Sequence, residues 1–197
     1  MKTLAKADKR IAVIGAHGVG KNTICIKLLE REKLNKRGAN VTYMPETVRS
    51  TMFMDHNILG KEIGSNYYSV SWLFHRHWSQ MLEHEFSCDV FISKRLPLDY
   101  VIFNECMMHL GVADRALELM YKEMAVLQAK EFDEVYFVRH NPEDEMAEDS
   151  VRQGTAGNAD LQPLWDQHYK NVIDDWDIPV IEGTCGELLA LHFNVKP

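Results

Sequence analysis

The chain has 197 residues, 46% apolar and 26% charged, with a formal net charge of -7. This composition excludes a disordered chain or a coiled-coil rod, the length allows one core burying about two-thirds of the unfolded surface, and the acidic balance excludes a general nucleic-acid binder, whose affinity would need a basic surface. No run approaches the roughly 20 apolar residues of a membrane helix and the leading MKTLAKADKR lacks a signal peptide's apolar centre, so the expectation is a single cytoplasmic domain over residues 1–197 with neither membrane nor nucleic-acid partner.

Short apolar runs alternate with longer segments of helical period, a pattern of βαβ units and a parallel sheet. Arg10-Ile11-Ala12-Val13-Ile14 reads as a central strand buried on both faces and ends at a glycine-rich turn. Residues 21–34 place Ile24, Cys25, Leu28 and Leu29 on one helical face, with Gly38 as a stop signal. Val41-Thr42-Tyr43-Met44, Val90-Phe91-Ile92, Val135-Tyr136-Phe137-Val138 and Ile178-Pro179-Val180-Ile181 complete a five-stranded sheet, with Pro179 favouring an edge for the last strand. Residues 66–86 carry Val70, Phe74, Trp78, Met81 and Leu82 at helical spacing, and residues 114–130 carry Leu117, Met120, Met124 and Leu127; both read as helices covering the sheet. A helix capped by Asp160 runs to about Trp176, with Leu161, Leu164, Trp165, His168 and Val172 along one face. Cys25, Cys88, Cys106 and Cys185 are widely spaced without a CxxC pair, which suits a reducing compartment rather than a disulfide framework or a zinc site.

The strongest signal is Gly15-Ala16-His17-Gly18-Val19-Gly20-Lys21, standing between the first strand and the first helix. Glycines let the backbone turn tightly around phosphates, successive N–H groups point inward, the helix terminus adds partial positive charge, and Lys21 adds a full one. The nucleotide-binding positions are therefore Gly15, His17, Gly18, Val19, Gly20, Lys21, Asn22 and Thr23, with His17 a packing or solvent-facing member rather than a catalyst. The position after the lysine normally holds a Ser or Thr whose hydroxyl ligates magnesium. Asn22 stands there instead, a weak metal ligand at best, and Thr23 points about 100° further round the helix.

With this loop in place, the chain resembles the P-loop nucleoside and nucleotide kinases, including thymidylate-kinase-like, deoxynucleoside-kinase-like and nicotinamide-riboside-kinase-like ATPases. Pro45-Glu46-Thr47-Val48-Arg49 is similar to their acidic acceptor-contacting segment, Ile92-Ser93-Lys94-Arg95-Leu96-Pro97-Leu98-Asp99 to their third-strand Asp-Arg motif, and Glu148-Asp149-Ser150-Val151-Arg152 to a lid bearing arginine. The resemblance implies an α/β P-loop NTPase three-layer sandwich with a five-stranded parallel sheet and a lid at about residues 141–160. It implies Lys21, Glu46, Arg95 and Arg152 as catalytic residues and Glu46, Arg49, Trp72, Arg76 and Arg95 as acceptor-binding residues, Gln80 lying one turn beyond Arg76. Gly183-Thr184-Cys185-Gly186 resembles the family's adenine-packing loop, or is a plain turn. Lys94 occupies the place of an aspartate that helps hold magnesium. Three accounts stay open: Lys94 neutralises phosphate charge itself, the fold binds nucleotide without turnover, or Asp99 or Glu46 carries the metal.

The expected function is ATP-dependent phosphoryl transfer to a nucleoside or nucleoside monophosphate, the chain being a nucleoside or nucleotide kinase. The alternative is a noncatalytic nucleotide-binding protein or sensor. Expected ligands are ATP, with Mg2+ in doubt, and a small acceptor; a homodimer is a further expectation. No Asn-Lys-x-Asp segment supports a switch GTPase.

Overall fold

The computed structural model describes residues 6–45, 67–109, 115–143 and 162–193. In chain order these form β1 (Lys9–Ile14), α1 (Lys21–Asn35), β2 (Val41–Met44), α2 (Tyr67–Glu85), β3 (Val90–Lys94), α3 (Pro97–His109), α4 (Arg115–Lys130), β4 (Glu134–Arg139), α5 (Gln162–Asp175), β5 (Ile181–Thr184) and α6 (Cys185–Phe193). The five strands are all parallel, in the order β2-β3-β1-β4-β5.

The central strands alternate between two cores with a period of two residues. Ile11 and Val13 of β1, Val90 and Ile92 of β3, and Tyr136 and Val138 of β4 pack with Ile24, Cys25 and Leu28 of α1 and Leu188 of α6. Ala12, Ile14, Phe91, Val135 and Phe137 face the other way, against Phe74 and Met81 of α2, Leu98 and Ile102 of α3, and Tyr169 and Val172 of α5. The sheet is thus the middle of three layers, and β1 is apolar throughout its buried length because both its faces are covered.

At the amino end of the sheet, Lys9 Nζ lies 2.6 Å from Glu134 Oε1 and 3.0 Å from Glu32 Oε1, while Arg31 Nη2 lies 2.7 Å from Glu134 Oε2. Burial works against ionisation of Glu134, yet the bonds from Lys9 and Arg31 hold its carboxyl at about 2 instead of the ordinary 4.5. The folded value lies below the unfolded one, so this stabilisation is complete above pH 4.5 and is lost as the pH falls towards 2. Replacing Glu134 with Gln is expected to cost about 1 kcal/mol at neutral pH, after discounting for solvent screening of a partly exposed pair. Urea midpoints measured across that acid range should then flatten for the variant relative to wild type.

Several expectations need correction. The stripe Met120, Met124 and Leu127 of α4 does not cover the sheet: these residues are 53%, 47% and 63% exposed. The helix buries Tyr121, Ala125, Val126 and Ala129 instead, packing on α3 and α2. Small residues let it approach another helix closely, so its larger apolar residues face outward. In α5 Trp165 and Val172 of the expected stripe are buried and Leu164 packs against the core, but Gln162, Tyr169 and Ile173 complete the buried face where His168 was expected, and Leu161 lies outside the described residues. The last strand begins at Ile181, three residues later than expected, because Pro179 has no N–H to give the ladder; β5 does lie at the edge. Gly183 and Thr184 close that strand while Cys185 and Gly186 open α6, so this segment is neither a free-standing loop nor a plain turn. Helix α3 carried no periodic signal because the burial runs nearly all round it, taking in the polar Asp99, Asn104 and Glu105 as well as its apolar residues. Asp160, and the lid segment beyond Glu143, lie outside the described residues.

Candidate phosphate-binding site

The loop 15–20 leaves the carboxyl end of β1, the central strand, and turns into α1 where the strand order reverses, a place where open α/β sheets form a crevice. Gly15 is at φ 136°, and a Cβ there would sit 2.4 Å from the carbonyl oxygen of Val138 on β4. Gly20 is the N-cap of α1 at φ 90°, with Cys185 Sγ 2.6 Å from where its Cβ would be. No side chain caps α1 and no acidic residue stands in its first turn. Its leading N–H groups therefore suit an anion better than a cation.

Lys21 is only 5% exposed, and its ammonium donates to the carbonyl of Gly15 at 2.7 Å and to that of Ala16. The cation thus lies within the loop rather than on the surface. Asn22 and Thr23 are exposed on the first turn.

A buried circuit braces the loop from outside. Arg95 follows β3 at φ 80°, an uncommon conformation for a residue with a side chain. Its backbone is held by donation to Val13 O at 3.0 Å and by acceptance from Ser93 Oγ at 2.7 Å and His77 Nε2 at 3.0 Å. Its guanidinium, 3% exposed with the rest of the residue, donates through Nη2 to His17 Nδ1 at 2.9 Å and through Nη1 to Asp99 Oδ1 at 3.1 Å. Asp99 Oδ1 also accepts from the Tyr169 hydroxyl at 2.7 Å, and its Oδ2 from the Leu96 N–H at 2.7 Å. The Tyr169 oxygen lies 3.4 Å from Gly15 O, and Gln162 Nε2 donates to His17 O at 2.6 Å. The first half of the loop, Gly15 to His17, is therefore tied to β3, α3 and α5 together. His17 also packs on Trp165, with centroids 4.7 Å apart, and edge-on to Phe103.

Burial, then the Asp99 charge, push the Tyr169 phenol well above its usual range, so it remains a donor at every working pH. Tyr169→Phe removes one of the donors to a buried carboxylate and is expected to lower stability by about 1–2 kcal/mol. Urea denaturation would read this, and an unchanged midpoint would contradict the circuit.

Asp166, on the turn of α5 beside the end of β4, accepts from the His140 N–H at 2.6 Å. Burial raises its carboxyl against the pull of that bond and of the His140, Arg139 and Lys21 charges. Sequence reasoning missed Asp166, Tyr169, Gln162 and His77, none of which sits in a motif; a polar residue on the buried stripe of a helix was the available signal. The loop, Lys21 and Arg95 do come together. Trp72 is half-buried and Arg76 exposed on α2. Glu46, Arg49 and Arg152 lie outside the described residues.

Magnesium is the group this fold implies, and the donors among the described residues fit it poorly. Both oxygens of Asp99 are already taken by Arg95, Tyr169 and Leu96, and an amide, Asn22, replaces the hydroxyl. Among the described residues no group of three His, Cys, Asp or Glu side chains is placed to hold a metal.

No protein-family model and no curated protein matches the chain. Solved structures do. A deoxyadenosine kinase from M. mycoides with bound dATP is 19% identical, with a TM-score of 0.63 covering 94% of this chain and 100% of that one. A thymidylate kinase from Candida albicans is 12% identical, with a TM-score of 0.62 over 90% of this chain and 84% of that one. The NadR protein in complex with NR is 11% identical, with a TM-score of 0.63 over 89% of this chain; the match spans 45% of the NadR chain. With its five parallel strands, their order and the loop after β1, the chain has the fold of the P-loop nucleoside and nucleotide kinases.

Proposed function

We propose that this chain transfers the terminal phosphoryl group of ATP to a nucleoside or a nucleoside monophosphate. One observation carries the reading: between β1 and α1, a glycine loop with an uncapped helix terminus surrounds a buried lysine ammonium. On binding a polyphosphate, Lys21 exchanges its two carbonyl partners for phosphate oxygens, and the first amides of α1 donate to the same group. The acceptor oxygen attacks the γ-phosphorus, the bond to the β–γ bridging oxygen breaks, and ADP leaves. The acceptor's proton passes to Glu46, and Arg49 with Trp72 and Arg76 bind the acceptor. Arg95 reaches the transferring phosphate by releasing His17, and Arg152 adds a second guanidinium from the segment after β4. Charge stabilisation by such groups accounts for most of the catalysis in phosphoryl transfer.

ADP release measured over a panel of nucleosides and nucleoside monophosphates, with ATP as donor, tests the reading directly. Turnover with at least one acceptor is expected; silence across the whole panel would refute it. A noncatalytic nucleotide-binding role is the second reading, favoured by Asn22 and Lys94 at positions where metal support is expected. Binding of ATP without turnover of any acceptor would select it. We further propose one domain over residues 1–197 in the cytoplasm, a compartment consistent with four free thiols. Self-association as a homodimer is supported by the exposed Met120, Met124 and Leu127 face of α4. Light scattering after gel filtration reads it.

A further inference from the structure

Along β3, Val90 and Ile92 enter the core beneath α1. By the two-residue period of a strand, Lys94 falls on that same face. It is level with Val13 in the parallel register, two residues before Gly15, and it is 8% exposed. Lys21 opens α1 over this face, one turn before Cys25. The Cys25 thiol is buried there, and burial pushes it up to about 12 against the opposing pull of Lys94 and Lys21, whose charges both reach it. Two buried lysines thus act on one thiol on the α1 face of the sheet, Lys94 standing at the carboxyl end of β3 and Lys21 at the start of α1.

A hard divalent cation needs oxygen donors that are charged or readily aimed. Asp99 is committed to the brace, Asn22 offers an amide, Glu46 lies outside the described residues, and the described residues assemble no group of three His, Cys, Asp or Glu side chains. A cation at the end of β3 also repels a divalent ion brought beside it. Two ammonium groups carry the same formal charge as one such ion.

We propose that Lys94 takes over the electrostatic role of the metal, so that the loop holds a nucleoside triphosphate between Lys21 and Lys94 and binds it without a divalent cation. This rests on the reading of the loop as a triphosphate site, and it holds whether or not turnover follows.

The test is calorimetric titration of the full chain with ATP, once in EDTA and once with magnesium in excess over nucleotide. The two dissociation constants are expected to agree within about threefold. Lys94→Met, which keeps the packing and removes the charge, should weaken binding in EDTA by about tenfold or more. The pair Asn22→Ser with Lys94→Asp should convert the site to metal-requiring, with binding in EDTA at least about tenfold weaker than with magnesium. Thermal melts followed by circular dichroism check that the variants fold, and the wild-type comparison stands without them. Wild-type binding weakened about tenfold or more by EDTA would overturn the inference while leaving the loop reading intact. Absence of ATP binding in both buffers would overturn the loop reading, and this inference with it.

Discussion

Lys21→Ala is expected to lower kcat/KM for ATP by about a hundredfold or more, a loss of about 3 kcal/mol of transition-state stabilisation. The size follows from where the ammonium lies. It is buried inside the loop on the carbonyls of Gly15 and Ala16, so its charge acts in a medium that screens it weakly. Removing it also leaves those two carbonyls short of a donor, which should cost about 1–2 kcal/mol of stability. The two effects separate by measurement: ATP titration and steady-state kinetics read the first, urea denaturation the second. ATP affinity and turnover both within twofold of wild type would show that the lysine has only a structural part in the loop.

Gly15→Ala should produce a large loss of stability, about 4 kcal/mol or more. Two costs combine. At φ 136° a side chain strains the backbone, and the new Cβ would meet the Val138 carbonyl oxygen at 2.4 Å and its carbon at 3.3 Å. These atoms belong to the backbone of β4, which is hydrogen-bonded to β1 on one side and β5 on the other, so they have little room to retreat. Gly186→Ala is the internal control: nothing lies within 4 Å of its Cβ, it stands in α6, and alanine there should be neutral or mildly stabilising. Urea midpoints for the two variants should move far apart; equal midpoints would mean that β1 and β4 are not held this close.

The sequence by itself determined the parallel sheet, because five apolar runs separated by helical periods have few other ways to bury both faces of a strand. It also located the phosphate loop, since a strand, closely spaced glycines, a lysine and a helix specify backbone geometry locally. What lay beyond it depended on tertiary contact. The apolar stripe of α4 was plain in the sequence, yet which face turned inward was decided by the close approach that Ala125 and Ala129 permit. The role of Arg95 was legible only as a cation near phosphates. Its bond to His17 joins residues 78 positions apart, and Tyr169, 70 positions from Asp99, closes the circuit. No local pattern encodes such pairings, because hydrogen-bond partners are chosen by which buried groups the packed elements bring together, and that choice exists only once the three layers have met.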